Sequence, residues 1–153
     1  MGDVRNWRLL RPLTTVVQLH RADDSIDPST LRRTIDHAIR AEKELLIDPE
    51  FFPALQGHLP DIAGMDIQIK RGRDHNELTQ YRYDVVLRKH PITALPLSDA
   101  PQLSWGQQIS DPETLTNYLN TEHPQRVRIT GMPNTRLIRE IAVAHAKPAS
   151  ERR

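Results

Sequence analysis

The chain has 153 residues, of which 37% are hydrophobic and 27% charged, and its net charge is +1. That suits one folded domain with a real core, excludes two comfortable ones, and argues against disorder, nucleic acid or a membrane surface. There is no cysteine, so disulfides, thiolate metal sites and cysteine nucleophiles are excluded together.

Predicted elements follow in chain order. The N-terminus, "MGDVRNWRLL", carries charges where a signal peptide needs an apolar run, and no stretch approaches a membrane span. A cytoplasmic location is the expectation. The first helix falls in "LLRPLTTVVQLH", with Pro12 inside its first turn. Three Asp-Pro pairs, at Asp27, Asp48 and Asp111, each precede apolar spacing of helical period. Aspartate caps an orphan backbone N–H, and proline at the first helical position lacks a donor that would go unpaired. The spacing predicts a helix from Ser29 to about Leu46, a short one in "PEFFPALQGHL", and another in "PETLTNYLNTE".

Alternation marks the strands. Met65, Ile67 and Ile69 share one side of "MDIQIK"; Tyr81, Tyr83, Val85 and Leu87 share one side of "YRYDVVLRK". These predict an antiparallel pair at about 65–70 and 81–88, joined by residues 71 to 80. "QRVRIT" predicts a further strand at about 125–130. Asn134 then caps a last helix carrying Leu137, Ile138 and Ile141. Residues 90 to 102 read as a proline-rich connection, and the tail from Lys147 as frayed. This succession of helices and strands points to an α/β or α+β layer architecture.

The six glycines include no G-x-G pair and no G-x-x-x-x-G-K, which argues strongly against a phosphate- or dinucleotide-binding turn in these residues. The histidines show no H-x-x-x-H spacing, so no metal site is predicted. The densest polar cluster beside a strand is His75, Asn76 and Glu77. One reading makes it a pocket wall, Glu77 serving as proton acceptor or amine anchor and Asn76 orienting a substrate group. The other makes it a solvated connection whose asparagine caps a turn. Spacing alone favours the second.

"NELTQYRYDVV" resembles the NELSxYRYxAV motif of the methyltransferase domains embedded in nonribosomal peptide synthetases. "GDVRNWRLL" resembles that family's GDVRxxxLL segment, which follows the fifth strand of its fold. "AEKELLIDPEFFPAL" is similar to its EEELLxDPxFF helix pair, "IQIKRGRDHNELT" to xxxKRGRxxNELT, and "VRITGMPNTRL" to VxGxPNARL near the domain's end. The segments keep the family's order and span about residues 2 to 145. Thr79 stands where the motif has serine and keeps the hydroxyl; Val85 stands where alanine is usual.

The resemblance implies the C-terminal part of a Rossmann-like class I methyltransferase fold. Its sheet would be incomplete, with an antiparallel strand pair and packed helices. Residues 1–146 would form an acceptor-side half and 147–153 a flexible tail. It places Asn76, Glu77 and Tyr81 nearest the methyl-accepting atom, and Gly2, Asp3 and Arg5 on the cofactor side, flanking the sheet's carboxyl edge. In the family, a methyl group passes from S-adenosylmethionine to an aminoacyl or peptidyl group tethered to a carrier protein. The glycine-rich cofactor half precedes these segments, so activity would need a complementary half or synthetase module, and the cofactor would bind only with it. A sheet cut after its fifth strand leaves an open edge, which predicts association with that half or with a second copy. The alternative is a non-catalytic module that docks a carrier protein, or a truncated remnant.

Overall fold

A computed structural model of the chain describes residues 1–92, 97 and 99–145. The architecture is mixed α/β, with helices around a four-stranded mixed sheet and a separate two-stranded one. The expected tail lies outside the described residues, as does part of the proline-rich connection.

Strand β1 (Val4–Asn6) leads through a 3-10 turn (Trp7–Leu9) into helix α1 (Leu10–Arg21), with Pro12 in the first turn as predicted. Helix α2 (Pro28–Arg40) begins on the Asp27 cap, whose carboxylate accepts the Thr30 N–H. It stops six residues before the predicted end. The Glu42 carboxylate accepts the N–H groups of Lys43 and Glu44, turning the chain out of the helix. Leu46 is then free to pair: β2 (Leu46–Ile47) runs parallel to β1, opposite Arg5 and Asn6. One side of β1 is therefore paired at Arg5 and Asn6.

Helix α3 (Phe51–Gln56) starts two residues later than the Asp48-Pro49 signal implies. Asp48 accepts the Glu50 N–H, within the turn before the helix. Phe52 is buried and Phe51 half-exposed, so only one aromatic of the pair enters the core. Strands β3 (Ile62–Ile69) and β4 (Arg82–Lys89) form the predicted antiparallel pair, in which Met65 lies opposite Leu87 and Ile67 opposite Val85. Their connection is not a plain loop. It holds α4 (Glu77–Tyr81), so Tyr81 ends a helix instead of opening the strand.

The sheet order is β2-β1-β4-β3, with β4 antiparallel to both neighbours. Its core is Val4, Phe52, Tyr83 and Val85, backed by Ile47 and Met65. Phe52 meets Tyr83 edge to face at 6.1 Å, a favoured aromatic geometry. The Tyr83 hydroxyl donates to the Ile47 carbonyl at 2.9 Å, fastening β2 to the core.

A second, parallel pair joins β5 (Gln102–Ser104) to β6 (Arg128–Thr130). β5 is absent from the predicted strands: it begins at Gln102, the last residue of the stretch read as a connection, and Pro101 and Gly106 confine its alternation to four residues. Between them α5 (Pro112–Glu122) starts on Asp111, which accepts the Thr114 N–H as the Asp-Pro signal predicts. Asn134 caps a turn, through its bond from the Arg136 N–H, and α6 (Ile138–His145) follows. Leu137, at that turn, is the buried anchor of the segment, whereas Ile138 is exposed.

Candidate functional site

The N-terminus of α4 faces β1. Asn76 is its N-cap: the side-chain carbonyl accepts the Thr79 N–H at 3.1 Å, and the Thr79 hydroxyl accepts the Asn76 N–H at 3.0 Å. This reciprocal capping box accounts for Asn and Thr at that spacing. The turn-capping reading of Asn76 thus holds, and its consequence is positional. It sets Glu77 at the first helical position, where a carboxylate also meets the positive end of the peptide dipoles.

The preceding loop is packed tightly beneath. A Cβ on Gly72 would lie 2.7 Å from the Thr79 methyl, closer than real contacts come. Arg136 locks the same loop from the other side, donating to the carbonyls of Lys70 and Thr79 at 2.7 and 3.2 Å and of Gly72 at 3.3 Å.

Glu77 Oε1 accepts from Arg5 Nη2 at 2.6 Å and Arg82 Nη2 at 3.0 Å. Arg5 also meets Glu42 at 3.0 Å and Glu44 at 2.9 Å. Arg82 grips Glu44 through both Nη atoms, at 2.6 and 3.1 Å, and donates to the Asp3 carbonyl at 3.1 Å. The arginine side chains are 12% and 15% exposed, so these ion pairs are screened less than ordinary surface ones. Glu77, 47% exposed, is the outermost member. Three carboxylates against two guanidiniums leave one surplus negative charge.

Burial raises the Glu77 carboxyl, but the hydrogen bonds from Arg82 and Arg5 outweigh it and hold the group below its usual range. Backbone N–H bonds do the same for Glu42. Burial works against the Arg82 guanidinium, yet Glu44 and Glu77 carry it above its ordinary value. A carboxylate held ionised is a weak proton acceptor and a good anchor for an N–H or ammonium donor.

Gly2 and Asp3 form the turn into β1. Asp3 takes a left-handed φ of 58°, which aspartate tolerates better than most residues. Its N–H donates to Asp84 and its carboxylate meets Lys70 at 2.8 Å. Gly2 backs onto Asp84, whose Oδ1 would sit 3.4 Å from an added Cβ. The fit of this group to a cofactor is limited. The guanidinium of Arg5 is shared among three carboxylates and the Asp3 carboxylate is paired, leaving little to hold a ligand.

Tyr81 is buried one turn beyond Glu77. Burial, with the nearby Glu140 carboxylate, pushes its hydroxyl up to about 12, so it keeps its proton at neutral pH. The structure thus brings Arg5, Asn76 and Glu77 together at one edge, with Gly2 and Asp3 adjoining, and puts Tyr81 in the packed layer. Glu42, Glu44 and Arg82 went unremarked in the sequence. Each lies within a segment that carries the family resemblance, and that shared placement is the signal that would have found them. Among the described residues no group of three or more His, Asp or Glu is placed to hold a metal ion, and no helix is long and apolar enough to cross a membrane.

No protein-family model matches the chain. Its homologues are nonribosomal peptide synthetases. The chain is 40% identical over 138 residues to the peptide synthetase CymA of Salinispora arenicola, covering 90% of this chain and 2% of that protein. It is 33% identical over 150 residues to the chondramide synthase cmdD of Chondromyces crocatus, covering 94% of this chain and 4% of that one. It is 27% identical over 148 residues to the cyclosporin synthetase simA of Tolypocladium inflatum, covering 95% and 1%. The chain therefore spans only a few hundredths of the length of these relatives.

Proposed function

We propose that the chain is the acceptor-side part of a methyltransferase domain of a nonribosomal peptide synthetase system. It would act on an aminoacyl or peptidyl group tethered to a carrier protein. The observation that carries this reading is the joining of "GDVR" to "NELT" through the 2.6 Å bond between Arg5 and Glu77. Two segments picked out separately by resemblance meet in one ion network, and "EKE" supplies its other carboxylates. Homology to peptide synthetases supports the setting.

S-adenosylmethionine, when bound with a complementary half, would supply the methyl group. This chain's residues orient the acceptor. Glu77 anchors the N–H of a neutral acceptor amine through Oε2, which takes no hydrogen bond from the described residues, while Oε1 is fixed by the arginines. The amine lone pair takes the methyl group and the surplus proton leaves to water. Asn76 holds Glu77 in place and offers its side-chain NH2 to a substrate carbonyl. Fixing the acceptor in line with the donor is the contribution of such a wall.

A docking module without catalysis is the second reading, favoured by the extent to which Arg5 and Arg82 are spent on structural ion pairs. The test is reconstitution. The chain is combined with a polypeptide carrying a glycine-rich cofactor half, labelled S-adenosylmethionine and an aminoacyl carrier protein. Label on the aminoacyl group supports methyl transfer. Carrier binding without label supports the docking module.

A further inference from the structure

β3 is the outermost strand of the four-stranded sheet, and β4 is its only strand partner among the described residues. Its first half is covered: Ile62 is buried, and Ala63 accepts a hydrogen bond from Gln56 of α3. Its second half is bare. Ile67 and Ile69 are 39% and 65% exposed, and alternate backbone N–H and C=O groups point away from β4. An open groove of about 540 Å³ runs along this half, lined by residues 67 to 72 and Arg136.

The charges along the groove are unbalanced. Lys70 is neutralised by Asp3 and Asp84, and Asp66 by Arg88. Arg71 and Arg73 have no carboxylate partner among the described residues, and Arg136 is held only by backbone carbonyls. Those carbonyls occupy its two Nη atoms and leave its Nε–H unclaimed. None of these three guanidiniums forms an ion pair with a carboxylate among the described residues. Cations on an edge strand oppose pairing with an identical copy, because two such edges would bring like charges together. The same cations favour a strand of opposite sign.

We propose that the open edge of β3 at residues 67 to 69, with the adjoining loop 70 to 72 and Arg136 beside it, receives an extended acidic peptide segment of a partner protein, added to β3 as a further strand. Main-chain hydrogen bonds to the edge supply affinity, and Arg71 and Arg136 select acidic side chains. Ile67 and Ile69 accept the apolar residues that alternate with them. This surface is separate from the Glu77 network and does not rest on the methyl-transfer reading.

The test uses the whole chain and two synthetic peptides, acetyl-TEVEIEVT-amide and its lysine counterpart acetyl-TKVKIKVT-amide. Binding is followed by fluorescence anisotropy, with hydrogen exchange to locate it. The acidic peptide is expected to bind saturably, at least about tenfold tighter than the basic one, since opposite potentials favour association and like charges oppose it. It should slow exchange at amides 67 to 70. Arg71→Glu, at an exposed and unpaired position, should reverse the charge preference without lowering the melting temperature. Equal binding of the two peptides, binding that leaves these amides unprotected, or no binding would overturn the proposal. So would self-association that protects the same amides, which would make a second copy the occupant.

Discussion

Arg5 Nη2 lies 2.6 Å from Glu77 Oε1, joining residues 72 positions apart and tying the first strand to the helix before β4. The bond is part of a chain of contacts that also holds Glu42, Glu44 and Arg82. Replacing Glu77 by glutamine removes a charge from beside two largely buried guanidiniums. It should cost about 1 kcal/mol, discounted for the exposure of Glu77. A double-mutant cycle with Arg5→Gln should give a coupling energy of about 1 kcal/mol in chemical denaturation. Strict additivity would mean that the two side chains do not act on each other.

Gly72 and Thr79 test the packing beneath this site. Gly72→Ala drives a methyl to 2.7 Å from the Thr79 methyl and should destabilise by about 1–3 kcal/mol through overpacking. Thr79→Ser keeps the capping hydroxyl and removes the obstructing methyl. The double variant should therefore recover most of the lost melting temperature. A double variant no more stable than Gly72→Ala alone would place the cause elsewhere.

Asn76 separates structure from function. Asn76→Ala removes the acceptor that caps α4 and should lower stability by about 1 kcal/mol, whereas Asn76→Asp keeps an N-cap acceptor and should lose little. Aspartate has no NH2 to offer a substrate carbonyl. On the proposed reading, Asn76→Asp in the reconstituted assembly should weaken acceptor use while melting normally. Full activity would make Asn76 a cap and nothing more.

Acid should loosen the fold from the carboxylate side. Glu42 and Glu77 are held below 4.5, and Asp84 below 3.8, chiefly by Lys70 in the last case. For a group whose folded value is depressed, stability is present above the unfolded value and is lost as pH falls through the folded one. Urea midpoints should decline as pH drops below about 4.5, and less steeply in Glu77→Gln, which has one titrating partner fewer. A midpoint unchanged between pH 5 and pH 3 would contradict this.

Much of the fold is legible in the sequence where a local rule applies. The Asp27 and Asp111 caps, Pro12 in a first turn and the alternation of β3 and β4 are all read from neighbours within a few residues. What escapes is set by distant partners. Leu46 continues an apolar helical spacing, yet pairs with Arg5 because the Glu42 carboxylate has already ended the helix. Tyr81 fits the alternation of β4, but the Asn76–Thr79 box builds a helical turn that includes it. β1 and β2 have three residues or fewer and β5 is closed in by Pro101 and Gly106, whereas β6, equally short, is read because the alternation of "QRVRIT" extends beyond it. At the site, composition and spacing marked Asn76 and Glu77 only as a polar loop. No periodicity could show that the arginines paired with Glu77 come from β1 and the start of β4.

The most direct measurement is methyl transfer in the reconstituted assembly, comparing wild type with Glu77→Gln across acceptor concentrations and pH. If Glu77 anchors the acceptor, glutamine should raise the acceptor KM by about tenfold, the worth of one charge-assisted hydrogen bond, with a smaller change in kcat and an unaltered pH profile above pH 6. Wild-type kinetics in the glutamine variant, or an assembly that binds the carrier protein and transfers no methyl group, would contradict the account.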